Sequence, residues 1–164
     1  MVVLKKILVK EIMVSQVVTV QVDEPFSRVA ELFREHHIRH IPVVEKDGVL
    51  AGLITQRDLF RLIPPKRMSQ EEIVYDKDSL QANLLRAIHV GEDFFYDKTE
   101  LDSFVLRHVM VKKVHTCSPE DALGQVVELM VKHKYGCVPI VKDAFLKGIV
   151  THYDVLRSFL SFLV

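Results

Sequence analysis

The sequence predicts an α+β chain built from two tandem copies of one domain related by an internal pseudo-two-fold. Three observations predict it. The first is a direct repeat: Ile12-Met13-Val14, Val17 and Thr19 return as Val109-Met110-Val111, Val114 and Thr116. The second is that the match persists, through Glu31-Leu32-Phe33 against Glu128-Leu129-Met130 and Ile41-Pro42-Val43-Val44 against Val138-Pro139-Ile140-Val141. The third is a closing segment present in both halves. After a one-residue deletion in the Asp47–Leu50 region, Gly52-Leu53-Ile54-Thr55-Gln56-Arg57-Asp58 faces Gly148-Ile149-Val150-Thr151-His152-Tyr153-Asp154. Two copies of one unit imply two related surfaces and two related clefts.

In the first copy, Leu4, Ile7, Leu8 and Ile12 fall at helical spacing. Val17 to Val22 is a β-branched run and predicts a strand. Asp23 is the expected N-cap of the next helix, with Pro25 in its first turn, where a missing N–H costs nothing. That helix aligns Phe26, Val29, Ala30 and Phe33 on one face and ends near His37. Arg39 to Val44 and Val49 to Ile54 read as strands joined by Lys46-Asp47-Gly48, a turn that uses positive φ at glycine. Gln56 to Leu62 starts a helix that Pro64-Pro65 stops.

The second copy repeats this order, with a helix over Thr99 to Val109 and a strand around Val114 to Cys117. Ser118-Pro119-Glu120-Asp121 reads as a helix start with a serine cap and acidic first turn. Leu123, Val126, Val127 and Met130 form the buried stripe of that helix. Cys137 to Val141 and Leu146 to Val150 are the strands, and a last helix from His152 carries Leu156, Phe159, Leu160 and Leu163 as an apolar stripe. The boundaries are therefore 1–62, 63–98 and 99–164. In the connector, Leu80, Leu84, Leu85 and Ile88 fit a short helix, and Phe94-Phe95-Tyr96 anchors the segment or forms a partner-binding patch.

Composition narrows the function. The 164 residues carry 22 basic and 22 acidic side chains, a formal net charge of zero, and are 49% hydrophobic. That is enough apolar material for a core without disulfide or metal staples. A neutral chain lacks the overall basic field of a duplex-binding protein, so nucleic acid is not an expected partner. No apolar run approaches the roughly 18 residues of a membrane span, the N-terminal residues lack the order of a secretory signal, and two cysteines do not make a disulfide framework. The expectation is a cytoplasmic protein whose Cys117 and Cys137 are buried or cleft-lining thiols.

Both closing segments have the form Gly-apolar-apolar-Thr-x-x-Asp. Thr55 and Thr151 end a strand and cap a helix, and Asp58 and Asp154 stand three residues on, the spacing of a capping box. The same geometry suits a ligand, because a helix N-terminus offers unpaired amides to a phosphate and an adjacent carboxylate can accept two hydrogen bonds from a ribose diol. Together with His40-Ile41-Pro42-Val43 and Cys137-Val138-Pro139-Ile140, these segments make the sequence resemble a tandem pair of CBS domains, a Bateman module. The similarity covers residues 4–62 and 99–164.

The resemblance implies two clefts that bind AMP, ADP or ATP, with S-adenosylmethionine as a further adenosyl ligand. It assigns Asp58 and Asp154 to the ribose and Thr55 and Thr151 to the sugar or phosphate. It places the adenine against Val17, Val18 and Thr19 in one cleft and Val114, His115 and Thr116 in the other, with His40, Ile41, Cys137 and Val138 at the borders. Arg57 is expected on a phosphate. Its counterpart is Tyr153, so one cleft is expected to bind more tightly than the other. The family also implies a homodimer and a separate regulated protein. His36, His37 and His40 lack an acidic or cysteine partner at ligand spacing, so no metal is expected. No phosphate-cradling or dinucleotide glycine motif and no nucleophile with a base is present, which leaves no enzyme to expect. The competing reading is a structural or protein-interaction module whose Thr/Asp pairs only cap helices.

Overall fold

The computed structural model describes residues 7–67, 87–89 and 94–160. The elements, in chain order, are a 3-10 turn (Val9–Glu11), β1 (Val20–Gln21), α1 (Phe26–His36), β2 (His40–Val44), β3 (Leu50–Thr55), α2 (Gln56–Leu62), β4 (Lys66–Arg67), β5 (Ala87–His89), β6 (Phe94–Asp97), α3 (Lys98–Leu101), α4 (Leu106–Val109), α5 (Leu123–His133), β7 (Cys137–Lys142), β8 (Phe145–Thr151) and α6 (His152–Leu160). The sheets have strand orders β1-β2-β3, β4-β6-β5 and β7-β8.

Several boundaries differ from the sequence expectation, each for a local reason. The segment leading to Ile12 is a single 3-10 turn, in which Glu11 turns back to accept from the Leu8 amide at 2.8 Å; residues 1–6 lie outside the described part. Helix α1 starts at Phe26 with Pro25, not Asp23, at the N-cap position, and Glu24 accepts from the Gln21 amide instead. The Ser118 cap is likewise displaced. Asp121 accepts from the Ser118 amide at 2.7 Å, closing a turn, and α5 begins only at Leu123. Thr99 to Val109 is two short helices, because Asp97 caps α3 through the Thr99 and Glu100 amides and the chain leaves helical geometry at Asp102 to Val105. The expected strands at Val17 and Val114 shrink to Val20–Gln21 and to one parallel bridge, Cys117 to Ile140.

In the connector, the helix expected over Leu80 to Ile88 falls largely outside the described residues. Its last part is strand, since Ile88 pairs with Tyr96 in β6. Phe94-Phe95-Tyr96 is the central strand of that small sheet, and Tyr96 is buried.

The structure divides into two compact units, one of Met1–Thr19, Pro42–Leu53 and Val111–Val164, the other of Val20–Ile41 and Ile54–Met110. Each draws on both sequence repeats. In the first unit, the lead-in of each repeat pairs with the closing strand of the other. Val14 exchanges both backbone bonds with Ile149 (2.9 and 3.0 Å), and Val111 does the same with Leu53 (2.9 and 2.8 Å). These are matched positions, so the repeat seen in the sequence is a reciprocal exchange in space.

The core of the first unit comprises Val9, Cys117, Leu123, Val126, Met130, Val138, Ile140, Val150 and Val155, with Ile12, Met13 and Phe159 packed against it. The stripe read from the periodicity of α5 supplies Leu123, Val126 and Met130; Val127 is half-buried. In the second unit α1 buries Phe26, Val29, Ala30, Leu32 and Phe33. Its polar side carries a charge network, with Glu31 between Arg28 (3.2 Å) and Lys98 (2.9 Å). Burial raises the Glu31 carboxyl, but hydrogen bonds from Lys98 and Arg28 outweigh it and leave it below its ordinary range.

Candidate functional site

The two Thr-x-x-Asp segments form the same structure. At the start of α6, the Thr151 amide and hydroxyl both donate to Oδ2 of Asp154 (2.8 and 2.6 Å), and the Asp154 amide returns a bond to Thr151 Oγ1 at 3.4 Å. At the start of α2, Asp58 Oδ2 accepts from Thr55 N and Oγ1 at 3.0 and 2.6 Å, with Asp58 N to Thr55 Oγ1 at 3.2 Å. These are reciprocal capping boxes, as the spacing predicts. In each, the cap uses one carboxylate oxygen. The other, Oδ1, is engaged by nothing among the described residues.

In the first unit, Asp154 lines a cavity of about 490 Å³ together with Ile7, Glu11, Ile12, Met13, Val14, Arg157 and Ser158. A volume of this order is that of a small-molecule site. The 3-10 turn and the Val14–Ile149 bridge supply one wall, and the first two turns of α6 supply the other. Gly148 makes the approach possible. A Cβ there would stand 2.8 Å from Met13 Sδ, too close unless the thioether moves, and 3.0 Å from the Val14 carbonyl oxygen, a tight contact. Arg157 and Ser158 follow Asp154 by three and four residues and so share its helix face.

Of the site residues expected in this half, Asp154 lines the cavity, while Thr151, His115, Thr116, Cys137 and Val138 are not on its described wall. Cys137 pairs directly with Thr151, and Val138 with Val150, in the antiparallel β7–β8 ladder. Both are buried, and burial pushes the Cys137 thiol up to about 12. Burial, with Asp121 beside it, pushes Cys117 to about 11. His115 does not line the cavity among the described residues. Its ring stacks on His133 with centroids 4.4 Å apart, and its Nδ1 lies 2.9 Å from the Tyr135 hydroxyl. Thr116 is half-buried beside it in the sequence, as are Val18 and Thr19 in the first unit. In the second unit, His40 is half-buried and Ile41 fully buried in β2, Arg57 is exposed on α2, and the Gln56 amide donates to the Arg39 carbonyl at 3.0 Å. The matched bond in the first unit is His152 N to Gly136 O, 3.2 Å.

Sequence reasoning missed Arg157, Glu11 and Met13. The signal for Arg157 was present. Arg61 stands at the matching place in the first copy, so the repeat extends to Thr-x-x-Asp-x-x-Arg in both halves. Glu11 and Met13 carried no local signal, because only the backbone exchange with Ile149 brings them to α6. Among the described residues no group of three or more His, Cys, Asp or Glu could hold a metal, and no helix is long and apolar enough to cross a membrane.

Comparison with known proteins decides the family. The CBS domain matches residues 9–65 and again 106–161. The chain is a tandem CBS-domain protein. An uncharacterised protein of Methanocaldococcus jannaschii, MJ1426, is 31% identical over 153 residues, covering 92% of this chain and 90% of its own. Two solved structures share the CBS-pair fold. One is the CBS domain pair of protein MJ0100 in complex with 5′-methylthioadenosine and S-adenosyl-L-methionine, with a TM-score of 0.65, 23% identity and coverage of 95% and 98%. The other is CBSX2 in complex with AMP, with a TM-score of 0.69, 19% identity and coverage of 96% and 98%.

Proposed function

We propose that this CBS pair is a regulatory module, without a reaction of its own, that binds an adenosyl ligand beside Asp154 and passes its occupancy to a separate protein. The observation that carries the reading is Asp154 itself. Its carboxylate is fixed at a helix N-terminus through one oxygen, while the residue lines a cavity large enough for a nucleoside. A carboxylate so held is oriented before a diol arrives, which lowers the entropic cost of binding. Solved relatives that bind AMP, or S-adenosyl-L-methionine and 5′-methylthioadenosine, support the adenosyl class. Residues 1–62 and 99–164 are read as the two domains, with 63–98 as the connector.

Asp58, in the same cap geometry, is read as the ribose group of a second, non-equivalent site with Thr55 and Arg57. Non-equivalence follows from chemistry, since Arg57 is replaced by Tyr153 in the other copy. Occupancy reaches a partner only if the ligand binds two conformations with different affinity. Exposed apolar residues on α6, Tyr153 at 70%, Leu156 at 66% and Leu160 at 61%, lie at i, i+3 and i+7 and support self-association into a homodimer. Thermal denaturation with AMP, ADP, ATP and S-adenosylmethionine tests the reading. At least one ligand is expected to raise the midpoint of the native protein and to raise that of Asp154→Ala distinctly less. Equal shifts in both proteins would place the site elsewhere, and no shift with any ligand would favour an interaction module.

A further inference from the structure

The second copy carries a cluster of rings that the first lacks. His115, His133 and Tyr135 stand where the matched positions hold Val18, His36 and Ile38. The imidazoles of His115 and His133 stack with centroids 4.4 Å apart and planes 25° from parallel. Tyr135 stacks on His133 at 5.1 Å and 15°, and its hydroxyl lies 2.9 Å from Nδ1 of His115. The three side chains join three segments of the first unit: the lead-in before the Cys117–Ile140 bridge, the last residue of α5, and the turn into β7. None of them is on the described wall of the Asp154 cavity.

The cohesion of such a stack depends on its protons. Two neutral imidazoles and a phenol attract one another through aromatic contact. One proton is tolerated, because a cationic ring can still lie on a neutral aromatic face, and the Tyr135 hydroxyl can accept from a protonated Nδ1 in place of donating to a neutral one. A second proton sets two like charges face to face at 4.4 Å, well inside the range of salt screening. The groups facing His133 are His115 from the lead-in, Tyr135 from the turn and Lys132 from its own helix. Among the described residues no carboxylate pairs with either imidazole. Burial, then His115 and Lys132, hold the His133 imidazole below the ordinary histidine value, in keeping with this arrangement.

We propose that the stack is a proton-operated clasp, closed with one imidazole charged or none and open with both, which frees the lead-in from the end of α5 as pH falls from about 7 to about 5. Opening has a path to the helix that carries Asp154. The carbonyl of Gly136, next to Tyr135, accepts at 3.2 Å from the amide of His152, the first residue of α6. On the other side, Cys117, two residues past His115, donates to the Pro139 carbonyl of β7 at 3.3 Å. The inference is independent of any ligand in the Asp154 cavity.

The test is NMR of the full chain from about pH 7.5 to about pH 5 on the native protein, His115→Phe and His133→Phe. Phenylalanine keeps a ring in the stack and removes its charge. The native His133 ring is expected to titrate below free histidine and to move distinctly back toward it in His115→Phe. Exchange of the Cys117 amide, corrected for the intrinsic effect of pH, is expected to accelerate about tenfold on acidifying the native protein, the scale of one unit of coupling, and to stay constant in both variants. A thermal melt near neutral pH verifies folding, and one folded variant suffices for the exchange comparison, since either phenylalanine removes the double charge. Acceleration confined to the native protein supports the clasp. A His133 ring that titrates identically with and without the His115 imidazole, Cys117 exchange unchanged in the native protein, or equal acceleration in native and variants would overturn it.

Discussion

Asp154 is held by three hydrogen bonds to one threonine, and that economy makes two roles separable at a single residue. Its capping box is worth about 1 kcal/mol; in the proposed role of ribose acceptor, its loss is expected to remove stabilisation by ligand in this cavity. Asp58→Ala at the matching cap measures the first role alone in any assay of the Asp154 cavity. A second residue-scale prediction concerns the β7–β8 turn. Asp143 and Ala144 sit at φ 54° and 70°, the positive values that a two-residue type I′ hairpin demands. Alanine pays a steric penalty there that glycine avoids. Ala144→Gly is expected to stabilise the fold by about 1 kcal/mol in urea denaturation; destabilisation would mean that the turn tolerates alanine without strain.

His133 supplies the pH dependence. Burial, then the neighbouring His115 and Lys132, hold its imidazole below the ordinary histidine value. The folded state therefore binds its proton less readily than the unfolded chain, so this group costs stability as pH falls through about 6.5 and costs nothing well above it. Tyr135 stacks on the same ring with centroids 5.1 Å apart. A shallow loss of stability from pH 7.5 to 5.5 is expected, reduced in His133→Gln, with the NMR titration of its ring displaced to low pH. A ring that titrates at or above the free-histidine value would contradict it.

At the scale of elements, the reciprocal pairing of Val14 with Ile149 and Val111 with Leu53 explains why two similar sequences need each other. Gly148 is its pressure point. Gly148→Ala must move the Met13 sulfur and press on the Val14 carbonyl, and such overpacking costs about 1–3 kcal/mol. Adenosyl binding should weaken with it, because Met13 and Val14 line the cavity. A Gly148→Ala protein of native stability would show that the lead-in strand is not tightly seated. Much of this level was legible in the sequence. The strands around Pro42 and Pro139 and the apolar stripes of α1 and α5 follow from period and β-branching, and the capping boxes from Thr-x-x-Asp. The starts of α1 and α5 were not, because Pro25 and Pro119 invite a cap where Glu24 and Asp121 close turns instead. Propensity describes what a residue permits, while the carboxylate nearest a free amide decides where the helix begins.

For the whole molecule, the repeat made the family and the two capping-box aspartates readable. The cavity wall was not readable, since Glu11 and Asp154 are far apart in the chain and meet only through a backbone exchange that leaves no periodic trace. The Asp154 cavity is proposed as an adenosyl site. Calorimetric titration of ligand-free protein with S-adenosylmethionine, S-adenosylhomocysteine and AMP, run in parallel on Asp154→Ala and Asp58→Ala, tests it most directly. Saturable heat that persists in Asp58→Ala for at least one ligand and is diminished in a folded Asp154→Ala, by the share of the Asp154 cavity, is the predicted result. Heat undiminished in Asp154→Ala, or absent from the native protein with every ligand, would contradict it.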